Sequence, residues 1–441
     1  MRQPETPSFS ETVRVFGKIG LLSFGGPAGQ IALMHRVLVE EKRWLDEARF
    51  LHALNYCMLL PGPEATQLAT YVGWLLHGVR GGLVAGILFV LPGALVITLL
   101  SAIYLTLGNV PLVQGLLFGL KAAVLAVVLE ALIKISKRAL KSGLMVAIAI
   151  VVFVGIAFLK IPFPVIIAAA ALVGGAMHLG DRSSMALAAK GDEPLSVDAM
   201  HEWTHPSWRR FWGTLIVWLG IWFLPLAVLF ALPGEMRVFA TEAGFFSKMA
   251  VVTFGGAYAV LSYVAQQAVE VYGWLKPDEM LAGLGLAETT PGPLILVLVF
   301  VGFLGGARHA GLDPLLGGLL GAAVTLWFTF VPCFLWIFVG APFVEKVRNV
   351  AWLAGALAAV TAAVVGVIAN LAVWFSLHVL FGQLGEWQLG PFVLPVPDLA
   401  GFDWAAGAIA AAAAIALIGF RANMIAVLVA AALAGMFWTF V

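Results

Sequence analysis

Residues 16–63 read FGKIGLLSFGGPAGQIALMHRVLVEEKRWLDEARFLHALNYCMLLPGP, and residues 246–293 read FSKMAVVTFGGAYAVLSYVAQQAVEVYGWLKPDEMLAGLGLAETTPGP. At a constant offset of 230 they share Phe16/Phe246, Lys18/Lys248, Phe24/Phe254, Gly25/Gly255, Gly26/Gly256, Val39/Val269, Glu40/Glu270, Trp44/Trp274, Leu45/Leu275, Leu51/Leu281, Leu54/Leu284, Pro61/Pro291, Gly62/Gly292 and Pro63/Pro293. That makes fourteen identities in 48 positions. Apolar sequence matches Leu and Val by chance, but it does not match Phe-Gly-Gly, Trp-Leu and Pro-Gly-Pro in one register. The chain is an internal duplication.

Each copy holds two apolar runs that are interrupted at the same places. Phe24-Gly25-Gly26-Pro27 breaks the first and Pro61-Gly62-Pro63 breaks the second. Proline removes a backbone donor and clashes with the preceding turn, and paired glycines lower helix propensity. At membrane depth freed backbone groups persist only where protein or a wet cavity satisfies them, so matched breaks in two halves point to a transporter's substrate site. The plainer alternative is a packing kink.

Around this repeat, 62% of the 441 residues are hydrophobic and only 11% are charged, with a mean hydropathy of +1.00. A soluble domain carries roughly 25% charged residues. Lipid must therefore cover this surface. The net charge of +1 and the absence of a basic face exclude nucleic acid as a partner. Cys57 and Cys333 lie in apolar runs and read as small buried hydrophobes. The N-terminus carries no cleavable signal pattern. Trp44, Trp74, Trp203, Trp208, Trp212 and Trp274 lie near the ends of apolar runs, as interfacial anchors do.

Apolar stretches long enough to span fall at about 81–107, 111–133, 143–159, 161–180, 211–233, 312–340, 348–370, 402–420 and 422–441. The fold class expected is an all-α polytopic membrane protein, two inverted structural repeats with broken or re-entrant helices, with about nine to thirteen membrane segments. Residues 1–180 form the first repeat, 181–240 a polar linker plus one connecting transmembrane helix, and 241–441 the second repeat. The basic loop Lys134, Lys137, Arg138 and Lys141 reads as cytoplasmic. Making the broken elements re-entrant moves Arg36, Lys42, Arg43 and Arg49 to that side and improves the charge bias. Spanning and re-entrant versions both invert the halves, place the N-terminus in the cytoplasm and leave the C-terminus outside.

The runs Phe16–Met34 and Leu59–Tyr71, with Thr253–Leu261 and Ala287–Val297, resemble the signature of the chromate ion transporter family over essentially the whole chain. The resemblance implies export of chromate across the bacterial inner membrane, giving resistance, with sulfate as a similar anion. Another small anion or an organic acid is the alternative substrate.

Chromate is a tetrahedral dianion near neutral pH, so its site needs hydrogen-bond donors and positive potential. A half-helix beginning after Pro63 aims free amides at the break. The expected binding residues are Lys18, Ser23, Gly25, Gly26, Gly62, Glu64, Thr66 and Gln67. Their companions in the second half are Lys248, Thr253, Gly255, Gly256, Glu288, Thr289, Thr290 and Gly292. Lys18 and Lys248 either face the interior, matching a dianion, or snorkel to an interface. Glu64 and Glu288 either exchange a coupling proton or, for Glu64, complement a helix N-terminus. Glu130 pairs most simply with Lys134 one turn on.

His201-Glu202-Trp203-Thr204-His205 matches a zinc-protease pattern, but Pro206 closes it and no third ligand follows. No catalytic group, metal or cofactor is expected, and no phosphate-binding loop for ATP is present. Base rates for oligomers favour a homodimer.

Overall fold

The computed structural model describes residues 7–180, 202–254, 256–343, 351–390 and 392–440. The first half contains α1 (Phe9–Leu22), α2 (Gly26–His35), α3 (Glu47–Cys57), α4 (Glu64–Leu107), α5 (Pro111–Ala139), α6 (Gly143–Ala157) and α7 (Phe163–Gly180). After α8 (Trp208–Phe230) the second half repeats the order. It runs α9 (Arg237–Val252), α10 (Ala257–Ala265), α11 (Pro277–Glu288), α12 (Val297–His309), α13 (Pro314–Gly340), α14 (Ala351–Leu380), α15 (Trp404–Ala414) and α16 (Met424–Phe440).

The duplication holds down to single turns. Both α2 and α10 run into a π-helical turn, Arg36–Glu41 and Gln266–Val271, at the same offset as the sequence repeat. The long α4 is two helices joined at His77–Gly78, where φ is −139° and +61°. Its two parts correspond to α12 and α13.

Among the described residues, five helices are long and apolar enough to cross a membrane: α4, α5, α8, α13 with its extension to Phe343, and α14. The apolar α6, α7, α15 and α16 are shorter. The described residues also form one antiparallel hairpin that an all-α reading omits, β1 (Leu384–Leu389) with β2 (Phe392–Pro397), in the register Leu384↔Pro397. Gly390 turns it at φ +60°.

As far as they are described, the residues form two compact units. One gathers Met1–Leu99, Ala186–Ala257 and Thr290–Val350; the other gathers Leu100–Met185, Tyr258–Thr289 and Ala351–Val441. Each therefore draws on both sequence repeats. In the first, α13 packs on α9 and α12. A Cβ on Gly306 would lie 2.4 Å from the Gly317 carbonyl, so only glycine lets α12 and α13 approach this closely. In the second, α5 packs against α15 and α16 through Leu120, Ala123, Val127, Leu417, Leu428 and their neighbours. The pair Glu130–Lys134 closes at 2.6 Å.

Trp44, Trp74 and Trp274 are not interfacial anchors. They are buried, whereas Trp208 and Trp212 are exposed. Trp44 and Trp274 stand just before α3 and α11, in turns whose flanking residues are exposed, and tuck their own rings inside the protein. Cys57 and Cys333 are buried, as expected.

The first broken element doubles back. α1 starts near Glu11, and the segment α2 plus its π-turn ends at Lys42. The Lys42 ammonium lies 2.7 Å from the Glu11 carboxylate. Thr12 likewise meets His77 at 3.0 Å, which returns the end of the α3–α4 element to the same level.

Candidate functional site

Each break is built by a repeated local device. At the end of α1, Ser23 donates its hydroxyl to the Ile19 carbonyl at 2.6 Å, and Phe24 N–H reaches Leu22 O at 3.0 Å. Gly25 and Gly26 then take φ of +88° and +70°, turning the chain into α2 with Pro27 in its first turn. In the second half Thr253 donates to Met249 O at 2.6 Å, Phe254 N–H reaches Val252 O at 3.1 Å, and Gly256 has φ +95°. Gly255 lies outside the described residues.

The Pro-Gly-Pro breaks are equally matched. Gly62 has φ +125° between α3 and α4, and Gly292 has φ +92° after α11. A side chain would be strained at either position.

These four breaks pair crosswise between the halves. Gly62 N–H donates to Thr253 O at 2.7 Å, and Gly292 N–H donates to Ser23 O at 2.7 Å. Each bond is the image of the other under the repeat offset. All four residues belong to the first compact unit. Gln30 adds a clamp, donating its amide to Gly292 O at 2.6 Å, and Gln67 donates to Pro61 O at 2.7 Å. Freed backbone groups in an apolar setting cost about 1–3 kcal/mol each when unmet, so this pairing lets the helices break where they do.

The Gly62 and Gly292 N–H groups themselves are spent on the crosswise bonds. The open positions are the Phe-Gly-Gly corners. A Cβ built at Gly25, Gly26 or Gly256 meets nothing within 4 Å, and the N-terminus of α2 has no side-chain cap. The Pro-Gly-Pro corners are filled: a Cβ on Gly62 would lie 2.9 Å from Gln67 Nε2 and 3.1 Å from Cys333 Sγ.

Ser23, Thr66, Gln67, Thr253, Glu288 and Thr290 are buried, and Glu64 and Thr289 are half-buried. Gln30 Oε1, Thr66 Oγ1, Gln67 Oε1 and Thr329 Oγ1 have no hydrogen-bond partner among the described residues. Buried polar atoms rarely stay unpaired; the Thr66 and Thr329 hydroxyls can donate to an anionic solute, whereas the two amide oxygens can only accept. In the second unit Tyr258 donates to the buried Glu288 carboxyl at 2.5 Å.

Lys18 and Lys248 are exposed on α1 and α9 and form no ion pair or hydrogen bond among the described residues. The zinc-like motif is one 3-10 turn over Glu202–Thr204 rather than a ligand helix, and His201 lies outside the described residues.

Sequence reasoning missed Gln30 and Tyr258 as site residues. Their signal was a polar group just beyond the Phe-Gly-Gly break in an otherwise apolar helix.

A family model described as chromate transporter matches residues 10–175 and 240–436. The chain is 28% identical over 417 residues to a probable chromate transport protein of Synechococcus elongatus, covering 89% of this chain and 95% of the relative. It is 31% identical over 366 residues to a chromate transport protein of Pseudomonas aeruginosa, covering 83% and 80%. It is also 33% identical over 165 residues to an uncharacterized transporter of Bacillus subtilis, covering 36% of this chain and 83% of that shorter protein. No solved structure matches.

Proposed function

The chain belongs to the chromate transporter family, and on that footing we propose that this multi-pass membrane protein exports chromate from bacterial cells across the inner membrane and so confers resistance. The observation that carries the reading is the crosswise pairing of Gly62 with Thr253 and of Gly292 with Ser23. Broken helices from two repeats, locked together with polar atoms left over, are how a transporter builds a site in lipid.

The repeats lie in opposite orientations, with the broken elements re-entrant. The return of Lys42 to Glu11 supports this arrangement. The N-terminus is then cytoplasmic and the C-terminus periplasmic. The anion meets the open corners at Gly25–Gly26 and Gly256, with the hydroxyls of Ser23, Thr66, Thr253 and Thr290 beside the breaks of the same compact unit. A cation facing hydrocarbon is expensive. Lys18 and Lys248 therefore line a water-filled approach and concentrate the dianion there.

Each charge crossing 100 mV is worth about 2.3 kcal/mol, so an interior-negative membrane favours exit of a dianion by about twice that. The acids Glu64 and Glu288 beside the breaks exchange protons as the anion passes, coupling export to proton entry.

Reconstituted protein should accumulate chromate in sealed vesicles, with sulfate as a weak competitor. Saturable uptake of an organic acid, with no effect of chromate, would replace the substrate. A Lys42→Cys variant should react with an impermeant thiol reagent from the cytoplasmic face only; labelling from outside would sink the re-entrant arrangement.

A further inference from the structure

Glu242 on α9 stands apart from every break, and the transport reading does not use it. It is fully buried, and neither carboxyl oxygen has a hydrogen-bond partner among the described residues. The side chain lies against the Gly306 backbone without reaching hydrogen-bond geometry. A Cβ on Gly321 would come within 3.3 Å of Glu242 Oε2, so the carboxyl fills the hollow left by glycines of α12 and α13.

Charged groups on the elements packed around it sit at their exposed ends. These are Arg308 and His309 on α12, Asp313 capping α13, and Arg209 and Arg210 on α8. On α9 itself Arg237 and Lys248 are exposed. Glu242 forms no ion pair among the described residues. A carboxylate buried with neither a cation nor a donor is severely penalised, whereas the neutral acid is tolerated.

Its repeat mate reinforces the point. Position 12 in the first half is Thr, bonded to His77 and to Ser8 O. The second half has therefore put an acid where the first half needs only a hydroxyl. Glu242 lies about 7.5 Å along the helix from Arg237 at the exposed start of α9, at 1.5 Å per residue. The same helix ends at Val252, and the carbonyl of the next residue, Thr253, accepts the Gly62 bond.

We propose that Glu242 is a further carboxyl, besides Glu64 and Glu288, that must bind and release a proton in each transport cycle, and that its charge state is felt at the breaks through α9. This rests on the proton-coupled reading above. When the acid ionises, α9 must shift to hydrate it, and Thr253 moves with the helix.

Two measurements test it. In vesicles containing a pH-sensitive dye, wild-type protein should move protons against chromate, E242D should keep part of the signal, and E242Q should abolish it. A wild type that moves no protons would remove the coupled reading and this site with it. A wild-type signal that persists in E242Q would remove this site alone.

The second measurement does not depend on how the variants fold. A hydrophobic carbodiimide adds to a carboxyl only while the acid holds its proton, the O–H adding across a C=N bond before rearrangement to a stable acylurea. The Glu242 peptide of membrane-embedded wild-type protein should carry this adduct, decreasing as the buffer is made alkaline. No adduct at any pH would overturn the assignment.

Discussion

The two Pro-Gly-Pro corners share a backbone and differ in where their polar side chains stand. At the first, Glu64, Thr66 and Gln67 follow the turn and open α4. At the second those positions are Leu294, Leu296 and Val297, and the polar group is Glu288-Thr289-Thr290, which closes α11. Duplication kept the geometry, because Gly62 and Gly292 each complete a bond to the opposite half. It did not keep the chemistry. The polar side chains thus open a helix in one half and close a helix in the other.

The largest effect expected is from Gly62→Ala and Gly292→Ala. Each puts a Cβ at positive φ, costing about 1–2 kcal/mol, and disturbs a crosswise bond. Chromate uptake should vanish in both, with lower melting temperatures. Gly62→Ala should be the worse, since φ +125° lies beyond the left-handed helical region and Gln67 and Cys333 crowd it. Loss in one variant only would break the equivalence of the corners.

Next come the clamps. Gln30→Leu strands the Gly292 carbonyl and Gln67→Leu strands that of Pro61, each at about 1–3 kcal/mol, or about tenfold or more in transport rate. Gln30→Leu should cost more, because its clamp joins two halves whereas Gln67 bonds within its own turn.

The acids sharpen the asymmetry. Glu288→Gln should slow transport several-fold and flatten its pH dependence, about 1 kcal/mol for the altered hydrogen bond from Tyr258. Glu64→Gln, half-buried at a helix start, should change it by about twofold or less. The smallest effect belongs to Lys18→Gln with Lys248→Gln. Half-saturating chromate should rise a few-fold at low salt and the difference should fade at high salt, as screening removes steering.

Much of this was legible before any coordinates. Gly and Pro report directly on backbone geometry, so the offset of the repeat located all four breaks, and runs of apolar residues located the long helices. What crosses the fold was not legible. No local signal says that Gly62 N–H is used by Thr253 rather than by a solute, because that bond depends on how distant segments meet. The faces of Lys18 and Lys248 were ambiguous for the same reason: within apolar surroundings, a lysine's neighbours decide whether it points in or out. Trp44, Trp74 and Trp274 misled because position along a run was taken for depth in lipid. The hairpin Leu384–Pro397 fell between two spans, where Gly and Pro read as loop.

The crosswise bonds also bear on chains that carry a single repeat. Alone, one copy would hold a glycine donor lacking its acceptor and a serine or threonine carbonyl lacking its donor. Neither can close on itself, because the two ends belong to different copies of the same stretch. Such a chain could become whole only by meeting a second molecule, so that fusion of the two into one polypeptide would fix a marriage the half-length form must remake each time it enters the bilayer.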